Sequence, residues 1–386
     1  MRGGARVLDL DGLEALVEAL RERGYTVLGP TVRDGAIVTG QITGHDDLPR
    51  GWGDEQDAGH YRLRRRGDDA LFGFASGAQS AKPVLFPATT LIWRGSRSAD
   101  GFTVETNGVA PPGGPGPPYA LLGVRSCDLA AIGVHDRVLA GRAAVDTDYV
   151  RQREDCFVVA VTCGSPGGTC FCVSMGTGPR PGAGYDLALT EILDDGAGHR
   201  FLAEPGSDRG ADVLGDLPGS PAGADDLAAA DRMAADAVAR MGRVLETDSL
   251  RDVLYASAES ARWDDIATRC LACTNCTLVC PTCFCTSVDD VTDLTGTARE
   301  RHRVWDSCFS ADYSYLHGGS VRASTAARYR QWMTHKLASW IDQFGTSGCV
   351  GCGRCITWCP AAIDITAEAA VLRADLADSL PAREEA

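Results

Sequence analysis

CLACTNCTLVCP, residues 270–281, and CVGCGRCITWCP, residues 349–360, decide which kind of domain forms the second half of this chain. Both stretches follow the pattern C-x2-C-x2-C-x3-C-P, the cysteine run of domains that hold two [4Fe–4S] clusters. Three closely spaced thiolates bind one cluster, and the fourth cysteine of each run binds the other. The spacing therefore predicts one cluster at Cys270, Cys273, Cys276 and Cys359, and a second at Cys349, Cys352, Cys355 and Cys280.

Structural zinc is the alternative for these cysteines, because zinc sites also use C-x2-C pairs. Zinc needs four ligands, usually supplied as two such pairs, and does not call for two identical four-cysteine runs that end in proline. The second run also contains Gly351 and Gly353. Glycine lets the backbone approach a cluster closely and donate N–H groups to its sulfides. The pattern therefore favours iron–sulfur clusters.

The segment that separates the two runs, residues 281–348, is far longer than the connection in a compact bacterial ferredoxin. Its clearest element is a helix predicted over 322–344. One face of that helix carries Tyr329, Met333, Leu337, Trp340, Ile341 and Phe344. A long helical insertion predicts an α-helical ferredoxin domain, as in the iron–sulfur subunits of succinate dehydrogenase-type enzymes.

Residues 1–215 have the pattern of a mixed α/β domain. Short β-type runs recur there, namely YTVLG, AIVTGQI, TTLIW, YALLGV, FVVAV and YDLALTEIL, and the last is predicted to pair with HRFLAE across the turn at 194–198. The N-terminus predicts a strand and then an amphipathic helix that ends at Gly24, with Leu13, Leu16, Val17 and Leu20 on one face. The predicted fold class is α+β, with a linker and helix at 216–245, the α-helical ferredoxin domain at 246–372 and a flexible tail at 373–386.

Four further cysteines follow predicted strands or lie in a glycine-rich loop. Cys127 and Cys163 come just after the runs YALLGV and FVVAV, and Cys170 and Cys172 lie in the loop GSPGGTCFC. The carboxyl ends of strands form the edge at which α/β sheets bind ligands. The favoured interpretation is a third [4Fe–4S] cluster held by these four cysteines. Cys156 starts its strand about 23 Å from Cys163 and is therefore predicted to be a buried apolar cysteine.

The hexapeptide TCFCVS, residues 169–174, recurs as TCFCTS at 282–287, which leaves two alternatives open. In one, the two C-F-C arms, Cys170/Cys172 and Cys283/Cys285, close on a single cluster between the domains. In the other, all these cysteines are core thiols or support the clusters without binding iron. Cys308 has no partner that spacing identifies.

Charge and hydropathy limit the partners and the compartment. The formal net charge is −15, which argues against nucleic acid or an anionic membrane surface as the main partner. No apolar run reaches the roughly 18–20 residues that a membrane span needs, and the N-terminus lacks the features of a secretion signal. Sixteen cysteines in a chain without an export signal are expected to stay reduced and bind metal, so a cytoplasmic location is predicted.

Five stretches carry a resemblance to a known family: LLGVRSCDLAAIGVHDRVL, VAVTCGSPGGTCFCVSMGTGP, RCLACTNCTLVCPTCFCTSVDDV, WDSCFS and AARYRQWMTHKLASWIDQFGTSGCVGCGRCITWCP. The chain resembles the β (iron–sulfur) subunit of cytosolic sulfhydrogenase-type nickel–iron hydrogenases. It also resembles a relative of that protein, the 4Fe–4S dicluster subunit of anaerobic sulfite reductase.

The resemblance implies an electron-transfer subunit of an oxidoreductase complex, without catalytic residues of its own. It would relay electrons between a flavin/[2Fe–2S] subunit that reacts with NAD(P)H and the small and large subunits that hold the nickel–iron site. In the sulfite reductase alternative, the catalytic subunit holds sirohaem. A free-standing ferredoxin-like carrier is disfavoured, because the α/β domain is larger than a diffusing carrier needs and suits a docking role.

Overall fold

The computed structural model describes residues 4–99, 101–106, 117–141, 143–194 and 198–379. Within these residues the strands are β1 (Arg6–Leu8), β2 (Thr26–Arg33), β3 (Ala36–Gln41), β4 (Trp52–Asp57), β5 (His60–Arg65), β6 (Thr89–Ser98), β7 (Gly101–Thr106), β8 (Tyr119–Arg125), β9 (Phe157–Val161), β10 (Leu187–Asp194), β11 (Gly198–Pro205), β12 (Ser220–Pro221), β13 (Thr286–Thr292), β14 (Ala298–Trp305), β15 (Tyr315–Leu316) and β16 (Gly319–Ser320).

The helices are α1 (Leu10–Glu22), α2 (Lys82–Leu85), α3 (Ser126–His135), α4 (Thr147–Asp155), α5 (Asp208–Asp216), α6 (Ala224–Ala239), α7 (Leu250–Ala256), α8 (Arg262–Arg269), α9 (Asn275–Leu278), α10 (Thr325–Thr334), α11 (Trp340–Phe344), α12 (Arg354–Thr357) and α13 (Ile365–Ser379). A π-helical turn at Asp136–Ala140 extends α3, and another at His335–Ser339 joins α10 to α11. The predicted helix at 322–344 therefore forms as one nearly continuous unit.

An eight-stranded sheet organises the first half of the chain in the order β12-β1-β11-β10-β9-β8-β2-β3. Its four central strands, β10, β9, β8 and β2, are parallel, and the outer strands pair antiparallel. Every residue of β9 is buried, as expected for a parallel strand covered on both faces. The predicted mixed α/β architecture is confirmed, and β10 pairs with β11 as predicted, although residues 195–197 of the intervening turn lie outside the described residues.

Helices cover both faces of this sheet, and its parallel strands end at a common carboxyl edge. The predicted apolar face of α1 is fully buried and packs with Phe157, Val159 and Val161 on one face. On the other face, α3 and α4 pack against Val158 and Ala160. Because β8 and β9 run parallel, the residues that follow them, including Cys127 and Cys163, lie at the same edge of the sheet.

A four-stranded antiparallel sheet, β13-β14-β6-β7, joins the two halves of the chain. Its central seam pairs β14, from the segment between the two cysteine runs, with β6 of the α/β region. The prediction that this segment is helical is therefore correct only for its second part. The hairpin β13-β14 is rich in charged residues and its β13 strand is mostly exposed, so it lacks the alternating apolar pattern that predicts strands.

The segment predicted as linker and helix packs on the large sheet through α6. In α6, Ala229 and Ala230 pack against Ile192 and Leu202 of the large sheet. At the other end, α13 continues past residue 372, beyond which the sequence predicts a flexible tail, and residues 380–386 lie outside the described residues. Within the described part of the chain, no helix combines the length and the apolar character that crossing a membrane requires.

Candidate iron–sulfur sites

The two cysteine runs adopt the same backbone conformation. In the first run, the N–H of Ala272 donates to Cys270 Sγ at 3.4 Å, and in the second the N–H of Gly351 donates to Cys349 Sγ at the same distance. The backbone is left-handed at Ala272 and at Gly351, with φ of 49° and 65°. Two residues further on it is left-handed again, at Thr274 and Gly353, and a short helix follows. Each run thus curls around its own sulfur atoms.

Glycine occupies these positions in the second run, where another loop covers them. A Cβ on Gly351 would lie 2.5 Å from Phe171 O and 2.6 Å from Cys172 N. A Cβ on Gly353 would lie 2.5 Å from Thr169 O. The second run is therefore pressed against the loop that carries the first C-F-C arm.

The first predicted set of ligands surrounds one cavity. We call this set site 1; it consists of Cys270, Cys273, Cys276 and Cys359. Phe309, Tyr329, Trp332 and Ile363 also line the cavity, so its walls are largely aromatic and apolar. Burial raises the pKa of the Cys276 thiol, whereas Cys273 is exposed. Site 1 is thus open to the surface on one side.

The second predicted set, site 2, lies deeper. It consists of Cys280, Cys349, Cys352 and Cys355, of which the last has the other three as electrostatic neighbours. Burial raises the pKa of the Cys349 thiol to about 12. The pKa of Cys280 is instead held well below its usual value, because Cys283 donates a hydrogen bond to its sulfur and the Lys336 ammonium is adjacent.

The third set of cysteines also shares one cavity, at the carboxyl edge of the parallel strands. This set, site 3, consists of Cys127, Cys163, Cys170 and Cys172. Burial raises the pKa of the Cys172 thiol to about 12. Arg125, 3% exposed, also lines the cavity, and its Nε has no hydrogen-bond partner among the described residues. A buried guanidinium at a four-cysteine cavity suits an anionic metal–sulfur group.

The three sites are arranged in series, with site 2 in the middle. Cys355 of site 2 also lines the cavity of site 1, and Cys352 of site 2 lines the cavity of site 3. The loop of site 3 is fixed to the second run by a hydrogen bond from Phe171 N to Gly351 O, at 2.8 Å, and by one from Thr177 Oγ1 to Val350 O, at 2.6 Å.

The two C-F-C arms lie in different places, so the interpretation that they close on one cluster is wrong. The first arm belongs to site 3, whereas in the second arm Cys283 contacts Cys280 and Cys285 contacts Cys308. A hydrogen bond from the Cys308 thiol lowers the pKa of Cys285 to about 6. Spacing could not identify this partner, because the strands β13 and β14 that bring Cys308 back were not predicted.

The remaining outcomes of the sequence analysis concern a buried cysteine, a buried ion pair and a buried lysine. Cys156 is buried, as predicted, and burial raises its pKa to about 12. Sequence reasoning missed the ion pair between Arg354 and Asp128, whose two contacts of 2.7 and 3.0 Å join the second run to α3. It also missed Lys82, whose place beside the second arm no local pattern signals.

Among the described residues, no three His, Cys, Asp or Glu side chains converge closely enough to hold a single metal ion. The ligands of a cubane each bind a different iron atom and therefore surround a larger volume. Sites 1 and 3 each have four cysteines at a cavity of their own, and site 2 has four more between them; these sets match the donors of [4Fe–4S] clusters.

Comparison with known proteins agrees with this donor set. The family described as "4Fe-4S dicluster domain" matches residues 269–363. The chain is thus an iron–sulfur protein with a dicluster domain in its second half. Sulfhydrogenase 2 subunit beta of Pyrococcus furiosus is 32% identical over 271 residues, which cover 68% of this chain and 76% of that protein. No solved structure matches the chain. The chain belongs to the family of sulfhydrogenase β-type iron–sulfur subunits, which confirms the resemblance found in the sequence and makes it an electron-transfer subunit.

Proposed function

We propose that this chain is the electron-transfer subunit of a nickel–iron hydrogenase complex. In this role it relays electrons between a flavin/[2Fe–2S] subunit that reacts with NAD(P)H and the hydrogenase small and large subunits. The observation that carries the proposal is the serial arrangement of three four-cysteine sites, from the exposed Cys273 of site 1 through site 2 to site 3. The proposed location is the cytoplasm, where the free cysteines would stay reduced.

We assign [4Fe–4S] clusters to sites 1 and 2 and a third to site 3. A bound cluster supplies a centre that gains or loses one electron while its cysteine ligands stay in place. The chain's own residues hold the sulfur atoms at fixed positions and exclude water from sites 2 and 3. They also supply the charges and the N–H groups that tune each centre, such as the N–H of Gly351 at Cys349.

The test is an elemental analysis of the tagged chain, purified without oxygen from its own host with its partners attached. Stoichiometric nickel is the expected result. The iron that remains after subtraction of the partners' share should be about twelve atoms per chain, at four for each cluster. About eight atoms would remove the third cluster. The absence of nickel would overturn the hydrogenase proposal and would favour the sulfite reductase complex instead.

A further inference from the structure

Lysine is used in an unusual way in this chain. It occurs at two positions, Lys82 and Lys336, whereas all other members of the 37 lysines and arginines are arginine. Both lysines are buried, with 5% and 3% of their surface exposed. Lysine is among the residue types least often found inside proteins. Every lysine of the chain is therefore an interior residue.

Both lysines contact the same short segment, which leads from site 2 into the second C-F-C arm. Lys336 Nζ lies 3.3 Å from Cys280 Sγ, 3.1 Å from Thr282 Oγ1 and 3.0 Å from Gly348 O. Lys82 Nζ donates to Leu278 O at 3.1 Å and to Cys283 O at 3.3 Å. The two ammonium groups thus approach Cys280 and its neighbours from helices far apart in the chain.

Sulfur atoms, rather than carboxylates, balance this charge. The sulfur groups nearest to Lys336 are those of Cys280, Cys283 and Cys349, and those nearest to Lys82 belong to Cys283, Cys280 and Cys285. Within the described residues, neither ammonium has an Asp or Glu partner among its interactions. Burial lowers the pKa of Lys82, and the neighbouring sulfur groups oppose that effect. Two buried cations that share no carboxylate call for a strongly anionic group beside them.

The geometry at Lys336 explains why arginine does not stand there. Three acceptors surround one nitrogen atom at 3.0–3.3 Å, which matches the three N–H groups of a compact ammonium. A guanidinium presents its N–H groups as a planar fork. Only some of these N–H groups would point at the three acceptors of this pocket. All other basic positions except Lys82 are arginine, but lysine stands at position 336, where a point charge must reach a ligand sulfur.

At site 1, Arg328 acts on Cys270 from outside the cavity, and among the described residues no lysine or arginine donates a hydrogen bond to a sulfur of this site. Phe309, Tyr329, Trp332 and Ile363 line its cavity together with the cysteines, and no lysine or arginine is among the described residues that do so. A positive charge stabilises the more negative, reduced form of a nearby cluster and so raises its reduction potential. The two runs that supply sites 1 and 2 have the same cysteine spacing and the same backbone conformation. The sites differ in this positive charge.

We propose that Lys336, supported by Lys82, raises the reduction potential of the site 2 cluster above that of the site 1 cluster. Lys336 is a positioning residue: its ammonium fixes the sulfur of Cys280 and offsets the negative charge that reduction adds. The proposal rests on the proposed function, since it requires clusters at both sites. An electron is then more stable at site 2 than at site 1, which is open to the surface.

The test is a redox titration of the purified full chain without oxygen. Electron paramagnetic resonance monitors the cluster signals and gives the midpoint potential of each. Lys336→Met and Lys82→Met remove the charges and retain much of the side-chain length, and Lys336→Arg retains the charge in another shape. Arg330→Met is the matched control, since Arg330 lies earlier on the same helical unit and, among the described residues, its guanidinium hydrogen-bonds to Ala258 and Glu259 and to no cysteine.

The expected result is that Lys336→Met shifts the midpoint potential of one cluster signal to a more negative value. Lys82→Met should shift the same signal by less, Lys336→Arg should restore part of the shift, and Arg330→Met should change nothing. Unshifted midpoints in Lys336→Met at full iron content would overturn the proposal. If Lys336→Met loses iron, an unshifted midpoint in Lys82→Met overturns it. Fewer than about eight irons in the unaltered chain, at four per cluster, would instead overturn the proposed function.

Discussion

Gly351 is the position at which one added methyl group tests the contact between site 2 and the loop of site 3. Gly351→Ala would place a Cβ 2.5 Å from Phe171 O and 2.6 Å from both Cys172 N and Cys172 Cα. All three are backbone atoms, so no side-chain rotation can relieve the overlap. The loop must therefore move away, and with it the sulfur of Cys172.

The cost can be worked from two contributions. An L-residue in the left-handed region costs about 1–2 kcal/mol, and forcing a methyl group into a packed contact costs about 1–3 kcal/mol. The first run shows that the conformation alone is tolerated, because Ala272 has the same handedness at the equivalent position. The overlap is then the decisive difference, and the free energy of unfolding should fall by about 2–5 kcal/mol.

The assays are urea unfolding and iron content, both without oxygen. We expect Gly351→Ala to unfold at lower urea and to lose about four irons, those of site 3. Ala272→Gly is the control, since it gives the first run the glycine of the second, and it should keep its full iron content. An unfolding midpoint and an iron content equal to those of the unaltered chain would refute the packing argument.

Three further predictions concern single buried groups. Cys172→Ser should lower the iron content by about four atoms, whereas Cys156→Ser should not, as measured by elemental analysis. Asp128→Asn should lower the free energy of unfolding by about 3–5 kcal/mol, because it leaves the guanidinium of Arg354 buried without a carboxylate. Burial lowers the pKa of His135 from 6.5 to about 4, so the unfolded chain binds more protons between these values. Stability should therefore fall as the pH drops from 6.5 to about 4, by up to about 3 kcal/mol, in urea titrations.

Each of these has a control within the chain. Equal iron losses in the two cysteine variants would contradict the assignment of site 3. Asp290→Asn removes one partner of an exposed ion pair with Arg301 and should leave the unfolding midpoint unchanged. His135→Phe should abolish the part of the pH dependence that we assign to His135, and an unaltered pH profile would show that other groups cause it.

The parts of the fold that follow from local patterns could be predicted. The apolar face of α1, the buried run of β9 and the spacing of the two cysteine runs each fix their structure within a few residues. Cys127 and Cys163 each follow a strand of the parallel sheet. The positions of these strands alone therefore predicted that the two cysteines lie at the same edge. These inferences rest on periodicity and on the rule that connects parallel strands.

The contacts that link distant segments could not be predicted. Strand β14 carries Arg299, Glu300, Arg301 and Arg303, and its place in a sheet depends on β6, about two hundred residues earlier. The neighbours of Cys308 and Lys82 depend in turn on that pairing. Charged strands satisfy their backbone through partners that only the folded chain supplies, so the sequence alone carries little sign of them.

The seam between β6 and β14 joins two strands that leave the ribosome at different times, because about two hundred residues separate them. Strand β6 pairs with β7 on one side as soon as both have emerged, but its other edge stays open until residues 298–305 arrive. An unpaired edge is a template for association between nascent chains. The same hairpin carries the chain from Cys285 back to Cys308, so the residues that complete the sheet are synthesised before the last cysteine run. A cluster at site 2 needs ligands from both runs, so its ligand set becomes complete only after the strands of this sheet have been synthesised.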